Sequence, residues 1–361
     1  MTNPNKFLLA FICKNESANL PGMLASVAPH IVGAVMTDTG STDNSVEIVE
    51  SFFKAHGKPV WVTHEPFENF SQARNANLRA ARAVTAVDWS HLLLCDCDMR
   101  LIVEQPWPKL TEKVYCLMQT NGVVRYFNVR IVRRDEPVEY VGATHECLSP
   151  VDPPVAIQGG IYYDDKETGA NRVEKFIRDI RLLKEELLVD PLNSRSVFYL
   201  IQSLMGAGMI ERAREMCDFC IRIDGHVEER YWCLVQMAHF DVTLGRDAAQ
   251  IEHEFIAAYQ FRPIRAEPLH HLSRWHAGRG ENEIALIYAT VAAAMPTPYE
   301  ILPIELAVYE WLALDNMLTT AVACKNTVQA KWAARALRKR KVPTEQMERI
   351  TKNIKSVLGE K

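Results

Sequence analysis

Two aspartates, Asp96 and Asp98, stand one residue apart directly after the apolar residues 92–95. The apolar run predicts a buried strand, so both carboxylates come at the carboxyl end of that strand. Open α/β sheets bind their ligands at this edge. Carboxylate oxygens there favour a divalent cation, Mg²⁺ or Mn²⁺, that bridges them to a diphosphate and neutralises charge on a departing nucleotide. An Asp-x-Asp pair by itself is weak evidence, because such pairs are common on loops.

Two more polar clusters follow predicted strands and strengthen this interpretation. One cluster follows the apolar residues 7–13, and the other follows residues 32–37. The side chains that we expect to contact a nucleotide donor from these clusters are Lys14, Glu16, Asp38, Thr39, Ser41 and Asp43. The intervening Gly40 permits a tight turn. The carboxyl ends of parallel strands meet at one edge, so all three clusters are predicted to line the same crevice.

The elements that must position these clusters alternate along the first third of the chain. We predict strands at residues 7–13, 32–37, 59–63 and 89–95, and helices at residues 19–27, 45–55 and 71–86. This order predicts a mostly parallel sheet with helices on both faces. Further strands are predicted at residues 123–127 and 129–132, with turns at Asn121-Gly122 and at residues 135–137.

After Gly169 the pattern becomes almost entirely helical. Apolar residues between 173 and 187 recur at helical spacing. Asp224-Gly225 follows Asp190-Pro191 by 34 residues, which is the period of tetratricopeptide repeats. We therefore predict three parts: an α/β domain over 1–168, a tetratricopeptide-like helical domain over 169–320, and a basic helical tail over 321–361.

Composition excludes some classes of protein. The net charge of −4 argues against a wholly basic nucleic-acid coat. No stretch has the roughly 18 apolar residues of a spanning helix, and no signal peptide is evident. The nine scattered cysteines favour a reducing compartment, so we expect a cytoplasmic protein, or one of the host cytoplasm if the source is viral. Cys217 and Cys220 fit buried thiols of a helix better than a metal site.

Four ordered motifs carry a resemblance to a known family. They are residues 13–16 (Cys-Lys-Asn-Glu), 38–43 (Asp-Thr-Gly-Ser-Thr-Asp), 70–75 (Phe-Ser-Gln-Ala-Arg-Asn) and 96–98 (Asp-Cys-Asp). Together they resemble the family 2 glycosyltransferases of GT-A type. The later Thr144-His145-Glu146 and the helical segments near 175–200 and 259–269 resemble the branch with a tetratricopeptide-like tail. Cys97 stands where that pattern often has Ala, and Ser17 where an acid is frequent.

The resemblance implies roles for individual residues. Asp38 and Glu16 would contact the base and ribose, with Asn75 also at the donor site. Asp98 would bind the metal directly, and Asp96 the ribose or a metal-bound water. Arg74 would offer a planar cation to a phosphate or to a neighbouring carboxylate. A third metal ligand would be His145, although a hydrogen-bonded loop histidine explains that residue equally well.

Family 2 enzymes are mostly inverting, and inversion needs one general base to take the acceptor proton. We expect Glu146 to be that base, with Asp135 as the second choice. The leading hypothesis is thus transfer of a sugar from a nucleotide diphosphate donor, UDP being favoured. A nucleotidyltransferase is an alternative, but residues 7–30 lack its Gly-rich basic loop. A non-catalytic helical scaffold is another, and it has no need of this cluster of charges.

The acceptor is left open among a glycan, a protein and a modified nucleobase of DNA. Lys331, Arg335 and the basic residues 338–341 crowd eleven positions near the C-terminus. A solvated helix face is the commoner meaning of such a run. The alternative is a patch that holds an anionic acceptor.

Overall fold

The protein is described by a computed structural model over residues 4–120, 125–151, 153–165, 172–298 and 304–359. Two compact units divide the chain, Met1–Glu186 and Leu187–Lys361. Our predicted domain limits at 168 and 320 stay predictions, because compactness alone does not show where an independently folding domain ends. The predicted turn at Asn121-Gly122 lies outside the described residues.

The first unit contains eleven described strands, four α-helices and a short 3₁₀ helix at Ala28–His30. The strands are β1 (Phe7–Cys13), β2 (Ile31–Asp38), β3 (Val60–His64), β4 (His91–Leu94), β5 (Met99–Val103), β6 (Val114–Thr120), β7 (Arg125–Arg133), β8 (Glu139–Val141), β9 (Cys147–Ser149), β10 (Val155–Ala156) and β11 (Ile161–Asp165). The helices are α1 (Leu20–Val27), α2 (Ser45–Ala55), α3 (Phe70–Arg82) and α4 (Arg172–Val189), whose last three residues belong to the second unit.

The main sheet has the order β3-β2-β1-β4-β7-β6-β11-β5, with β10 beside β6. The first four strands of this order are parallel, as predicted. Strand β7 is antiparallel to both β4 and β6, and β5 is antiparallel to β11. Strands β8 and β9 form a separate two-stranded sheet. The fold is therefore a parallel sheet extended by a mixed half.

Strand β1 shows why its sequence is apolar throughout. Side chains alternate between the two faces of a strand, and helices cover both faces here. Phe7, Leu9 and Phe11 pack with residues of α1 and α2. Leu8 and Ala10 pack with residues of α3 on the other face. Each large apolar side chain buried in this way contributes roughly 1.5–3 kcal/mol, so the strand ends of the site rest on a firm core.

The second unit is a succession of helices. They are α5 (Ser194–Gly206), α6 (Ile210–Arg222), α7 (Val227–Thr243), α8 (Ala248–Phe261), α9 (Glu267–Gly278), α10 (Asn282–Ala294), α11 (Ala313–Ala323), α12 (Thr327–Leu337) and α13 (Thr344–Leu358), with a π-helical turn at Val308–Leu312. Each helix packs against the next one in the chain, which is the arrangement of a helical-repeat array.

The prediction of helical-repeat structure after the α/β part is confirmed. Leu200, Leu204 and Ala213 are buried where α5 packs on α6. Gly208 turns the chain between these helices with a φ of 74°, which favours glycine. Cys217 and Cys220 are buried on α6. No helix of the described residues is long and apolar enough to cross a membrane.

Candidate active site

The loops that follow β1 and β2 hold each other in place. Asn15 adopts a left-handed φ of 55°, and its side-chain oxygen accepts hydrogen bonds from the amides of Thr42 (2.7 Å) and Asp43 (3.3 Å). Its own amide donates to the hydroxyl of Ser41 (3.0 Å). The Asp43 carboxylate accepts from the amide of Ser17 (3.1 Å). Two of the three predicted clusters therefore form one hydrogen-bonded floor at the carboxyl edge of the sheet.

Asp38 binds the backbone of the loop after β2 and so fixes the shape of this floor. Its carboxylate accepts hydrogen bonds from the amides of Gly40 (3.2 Å) and Ser41 (3.1 Å), and only 6% of the side chain is exposed. Burial raises the pKa of Asp38, but the hydrogen bonds from Ser41 and Gly40 outweigh burial and keep the pKa below its ordinary value. The hydroxyl of Thr39 donates to the carbonyl of Cys13 (3.1 Å). The expected donor residues are brought together, and several of their polar groups bond to one another.

Asp96 lies between two arginines. Arg74 of α3 donates to its Oδ1 at 2.6 Å, and Arg130 of β7 donates to its Oδ2 at 2.9 Å. Burial raises the pKa of Asp96, but attraction to Arg74 and Arg130 outweighs burial and holds the pKa far below its usual range. Asp96 is therefore ionised and fixed in orientation at any ordinary pH.

Arg74 joins this aspartate to the second candidate catalytic group. Its Nε donates to Oε1 of Glu146 at 2.5 Å, while its guanidinium lies over the ring of Tyr140, 5.4 Å from the ring centre. Only 15% of the Arg74 side chain and 11% of the Glu146 side chain are exposed. Of the two uses expected for Arg74, a phosphate or a carboxylate, the structure shows the second.

Asp98 is the carboxylate that this network leaves without a cation. In the described part of the chain it forms no ion pair. Burial and the negative charges of Asp96, Asp165 and Glu16 raise the pKa of Asp98 to about 6. Asp96 and Asp98 thus have opposite electrostatic surroundings although they are two residues apart.

The segment that carries Glu146 is held by α3 and α4. Asn75 exchanges two hydrogen bonds with the backbone of Tyr140, at 2.7 and 2.8 Å. The amide of Phe70 donates to the carbonyl of Ala143 (3.0 Å), and the amide of Ala143 donates to Glu186 of α4 (3.2 Å). The expected donor contact of Asn75 finds no support here, because both ends of its amide are committed to positioning this segment.

The expected metal ligands do not gather around one point. His145 is exposed and has a left-handed φ of 52°. Among the described residues, no group of three His, Cys, Asp or Glu side chains is placed to hold a metal ion. The chemistry of Asp98 nevertheless fits a divalent cation, since its carboxylate is partly buried amid negative charge. Such a cation would take its other oxygen ligands from a diphosphate and water, as Mg²⁺ does in sites of this kind.

The remaining predicted residues, Lys14, Glu16 and Asp135, differ in their surroundings. Lys14 is exposed, with its ammonium 6.0 Å from the ring centre of Phe67. Glu16 accepts a hydrogen bond from Asn19 (2.8 Å). Asp135, the second choice for the base, lies apart from these residues.

Asp135 lies at the wrong edge of the sheet. It pairs with Arg133, which stands opposite His91 at the start of β4. Asp96 is five residues further along the chain from His91, a distance of roughly 16 Å for extended backbone. Because β7 runs antiparallel to β4, its carboxyl end points away from the site.

Two site residues were missed from the sequence. Arg130 is 6% exposed by its side chain and also donates to Gln119 (3.0 Å). The signal for it was a charged residue inside the otherwise apolar strand 129–132. Asp165 ends β11 and adds negative charge beside Asp98. The sequence around Asp165 gives no sign that it lies near the site, because β11 is brought there only by its position between β6 and β5 in the sheet.

Comparison with known families agrees with the motifs that the fold brings together. The family model described as glycosyl transferase family 2 matches residues 9–115, which include β1 to β5, α1 to α3 and the Asp-x-Asp pair. The N-terminal unit carries a family 2 glycosyltransferase domain. A glycosyltransferase with a nucleotide-sugar donor is the general activity that this family implies, which disfavours both the nucleotidyltransferase and the scaffold alternatives.

Solved structures resemble the chain only distantly. The crystal structure of MamA is 16% identical, with a TM-score of 0.35, covering 50% of this chain and 92% of that one. YrrB, described as a TPR protein, is 12% identical, with a TM-score of 0.37, covering 50% of this chain and 85% of that one. PilF of Pseudomonas aeruginosa is 13% identical, with a TM-score of 0.35, covering 50% of this chain and 72% of that one. At these TM-scores the likeness carries no functional argument. A search of curated proteins finds no match.

Proposed function

We propose that the N-terminal unit transfers a sugar from a UDP-sugar to an acceptor, with Mn²⁺ or Mg²⁺ at Asp98 and with inversion at the anomeric carbon. The observation that carries the proposal is the partly buried carboxylate of Asp98, which forms no ion pair with any described residue and lies at the carboxyl edge of a family 2 domain. A carboxylate kept among other negative charges costs free energy in the empty protein. A bound cation with its diphosphate removes that cost.

In the donor half of the site the two aspartates would have different roles. Asp98 would hold the cation, whose chemistry is to offset negative charge on the diphosphate as the sugar departs. Asp96 would accept a ribose hydroxyl, since Arg74 and Arg130 occupy one position on each of its oxygens and a carboxylate oxygen accepts more than one hydrogen bond. The arginines orient Asp96 and keep it ionised.

The nucleoside would lie over the floor made by the loops after β1 and β2. Asp38, Thr39 and Ser41 are already fixed by hydrogen bonds within that floor. A rigid floor loses little conformational entropy when a ligand binds, so it suits recognition of a base and ribose. The carboxylate of Glu16 and the ammonium group of Lys14 would add contacts to the nucleoside beyond those of the floor.

The acceptor half would depend on Glu146. Its Oε1 accepts from Arg74, and its Oε2 has no hydrogen bond within the described residues. Oε2 would take the proton of the acceptor hydroxyl while the acceptor oxygen forms a bond to the anomeric carbon. As that bond forms, the bond from the carbon to the diphosphate breaks on the opposite side, and its electron pair leaves with the nucleotide. Arg74 holds Glu146 in place and links it to the donor side through Asp96.

Donor hydrolysis tests the proposal without an acceptor. The full chain is incubated with UDP-glucose, UDP-galactose, UDP-N-acetylglucosamine and GDP-mannose, with Mn²⁺ or with EDTA, and release of free nucleotide is followed. We expect slow release from at least one UDP-sugar with Mn²⁺ and none with EDTA. Asp98→Asn should abolish this release, whereas Asp135→Asn, at the far edge of the sheet, should not change it. Release that is indifferent to EDTA and to Asp98→Asn would contradict the metal role.

The acceptor belongs to one of three classes of molecule. A glycan, a protein and a modified nucleobase of DNA each present a nucleophile to the same donor chemistry. A screen of these three classes with the active donor would distinguish them, because transfer gives a labelled product of characteristic mass.

A further inference from the structure

One face of α12 in the helical unit combines exposed apolar and basic side chains. Val328, Lys331, Trp332 and Arg335 are all exposed and follow one another at i, i+3, i+4 and i+7, which places them on one side of the helix. Val328 is 78% exposed and Trp332 is 51% exposed. We call these four residues the basic apolar face.

The opposite side of α12 already provides the packing that the helix needs. Ala330, Ala333, Ala334 and Leu337 are buried in the core that α12 shares with α11 and α13. Their spacing is also i, i+3, i+4 and i+7. A helix that has buried one apolar stripe gains nothing for folding from a second, exposed one. The basic apolar face therefore calls for an explanation outside the fold.

The charge along this stretch of the chain is of one sign. Residues 316–344 contain seven Lys and Arg and no Asp or Glu, in a chain whose net charge is −4. In the described residues neither Lys331 nor Arg335 forms an ion pair. Two like charges four residues apart on a helix repel each other, so this arrangement is not one that helix stability favours.

The apolar surface continues onto the neighbouring helix. The side chain of Gln329 donates a hydrogen bond to Thr290 of α10 at 3.2 Å, so α12 and α10 approach each other at this point. Ile287 and Val291 flank Thr290 on α10 and are 63% and 42% exposed. Exposed apolar side chains grouped with polar ones are typical of an interaction site.

We propose that the basic apolar face binds the surface of a bilayer that contains anionic phospholipid. Lys and Arg are attracted to the anionic headgroups, while Val328 and Trp332 enter the boundary between headgroups and acyl chains. Tryptophan favours this boundary because its ring is apolar and its N–H is polar. A nucleic acid offers the same negative charge, but it has no apolar phase for Val328, Ile287 and Val291. The proposal is independent of glycosyl transfer.

Vesicle sedimentation with the full chain tests the proposal. We expect binding to vesicles of phosphatidylcholine mixed with phosphatidylglycerol, and little binding to phosphatidylcholine alone. Each cation near an anionic surface is worth about a fivefold change in partition, so Lys331→Gln with Arg335→Gln should weaken binding about 25-fold. The matched control is Arg212→Gln with Arg246→Gln, two exposed arginines of the same unit, which lowers the net charge equally and should leave binding nearly unchanged.

Trp332 supplies a second measurement that net charge does not move. Trp332→Phe keeps an apolar ring and should still bind, but quenching of protein fluorescence by brominated lipid should fall relative to the wild-type chain, which has seven tryptophans. All of the substituted side chains are exposed, so the variants should melt as the wild type does.

Several results would overturn the proposal. They are equal binding to both kinds of vesicle, an equal loss in the control pair, and quenching that is unchanged in Trp332→Phe. Binding of a labelled DNA duplex or RNA, lost in the Lys331 and Arg335 variant while anionic vesicles go unbound, would assign the face to nucleic acid instead.

Discussion

Replacing Asp98 by Asn should make the empty protein more stable at pH 8 while abolishing metal-dependent donor binding. Burial and the neighbouring charges of Asp96 and Asp165 raise the pKa of Asp98 from the ordinary 3.8 to about 6. The folded state therefore binds this proton more tightly than the unfolded state does. Stability is lost as the pH rises from 3.8 to 6, and the loss is complete above pH 6.

The size of this effect follows from the two pKa values. A carboxyl with a pKa near 6 when folded and 3.8 when unfolded makes folding about 3 kcal/mol less favourable at pH 8. Asp98 is only partly buried, so solvent screening lowers this to about 1–2 kcal/mol. For a unit of this size the gain in Asp98→Asn corresponds to a rise in Tm of roughly 2–8 °C.

Thermal unfolding of both proteins at pH 4 and pH 8 measures the effect. The variant should exceed the wild type at pH 8, and the difference should nearly vanish at pH 4, where Asp98 is protonated in the folded state. Adding UDP with Mn²⁺ should then stabilise the wild type and not the variant. An Asp98→Asn variant that is no more stable than the wild type at pH 8 would refute the electrostatic reasoning.

Asp43→Asn is the matched control for this experiment, with the opposite sign. Hydrogen bonds, first from Ser45 and then from Ser17, outweigh desolvation and lower the pKa of Asp43 to about 2. The ionised carboxylate therefore adds stability that is present above pH 3.8 and lost as the pH falls towards 2. The same substitution should thus lower the Tm at pH 8.

Three further predictions concern the network around Asp96. Arg130→Met leaves Asp96 with one cation and should destabilise the protein by about 2–4 kcal/mol in urea unfolding, whereas a Tm within a degree of wild type would exclude a structural ion pair. Glu146→Gln should keep UDP affinity and lower turnover roughly 10²–10⁴-fold; normal turnover of the folded variant would remove Glu146 as the base. Asn75→Ala breaks two hydrogen bonds to Tyr140 and should cost about 1–3 kcal/mol, with calorimetric UDP affinity nearly unchanged; a large loss of affinity would restore a donor contact.

Much of the first unit could be predicted because its signals are local. The run from Phe7 to Cys13 is apolar on both faces, which indicates a strand covered by helices on both sides. The predicted helix over 71–86 ends earlier, at Arg82, because Trp89 and Val84 close a short loop before β4. The mixed half of the sheet was harder to predict, since the short strands β5, β10 and β11 have no periodicity long enough to identify them.

The placement of the site at one edge also followed from the sequence. Parallel strands put their carboxyl ends side by side, so Asp38 and Asp96 had to approach each other once the strand order was known. Asp135 comes after the Asp-x-Asp pair in the chain, but chain order alone does not place a residue at this edge. Its strand β7 is antiparallel to β4, and strand direction in the second half is decided by long-range pairing that no local pattern records.

The sequence by itself determined which residue types stand at the strand ends: an Asp-x-Asp pair after β4 and polar loops after β1 and β2. It did not distinguish the two aspartates, because both follow the same strand. Only the tertiary structure brings Arg74 from α3 and Arg130 from β7 onto Asp96 and leaves Asp98 under the negative charge of Asp165. The reason is physical: the charge state of a carboxylate depends on what lies within a few ångströms of it, and those neighbours come from elements that are distant in the chain.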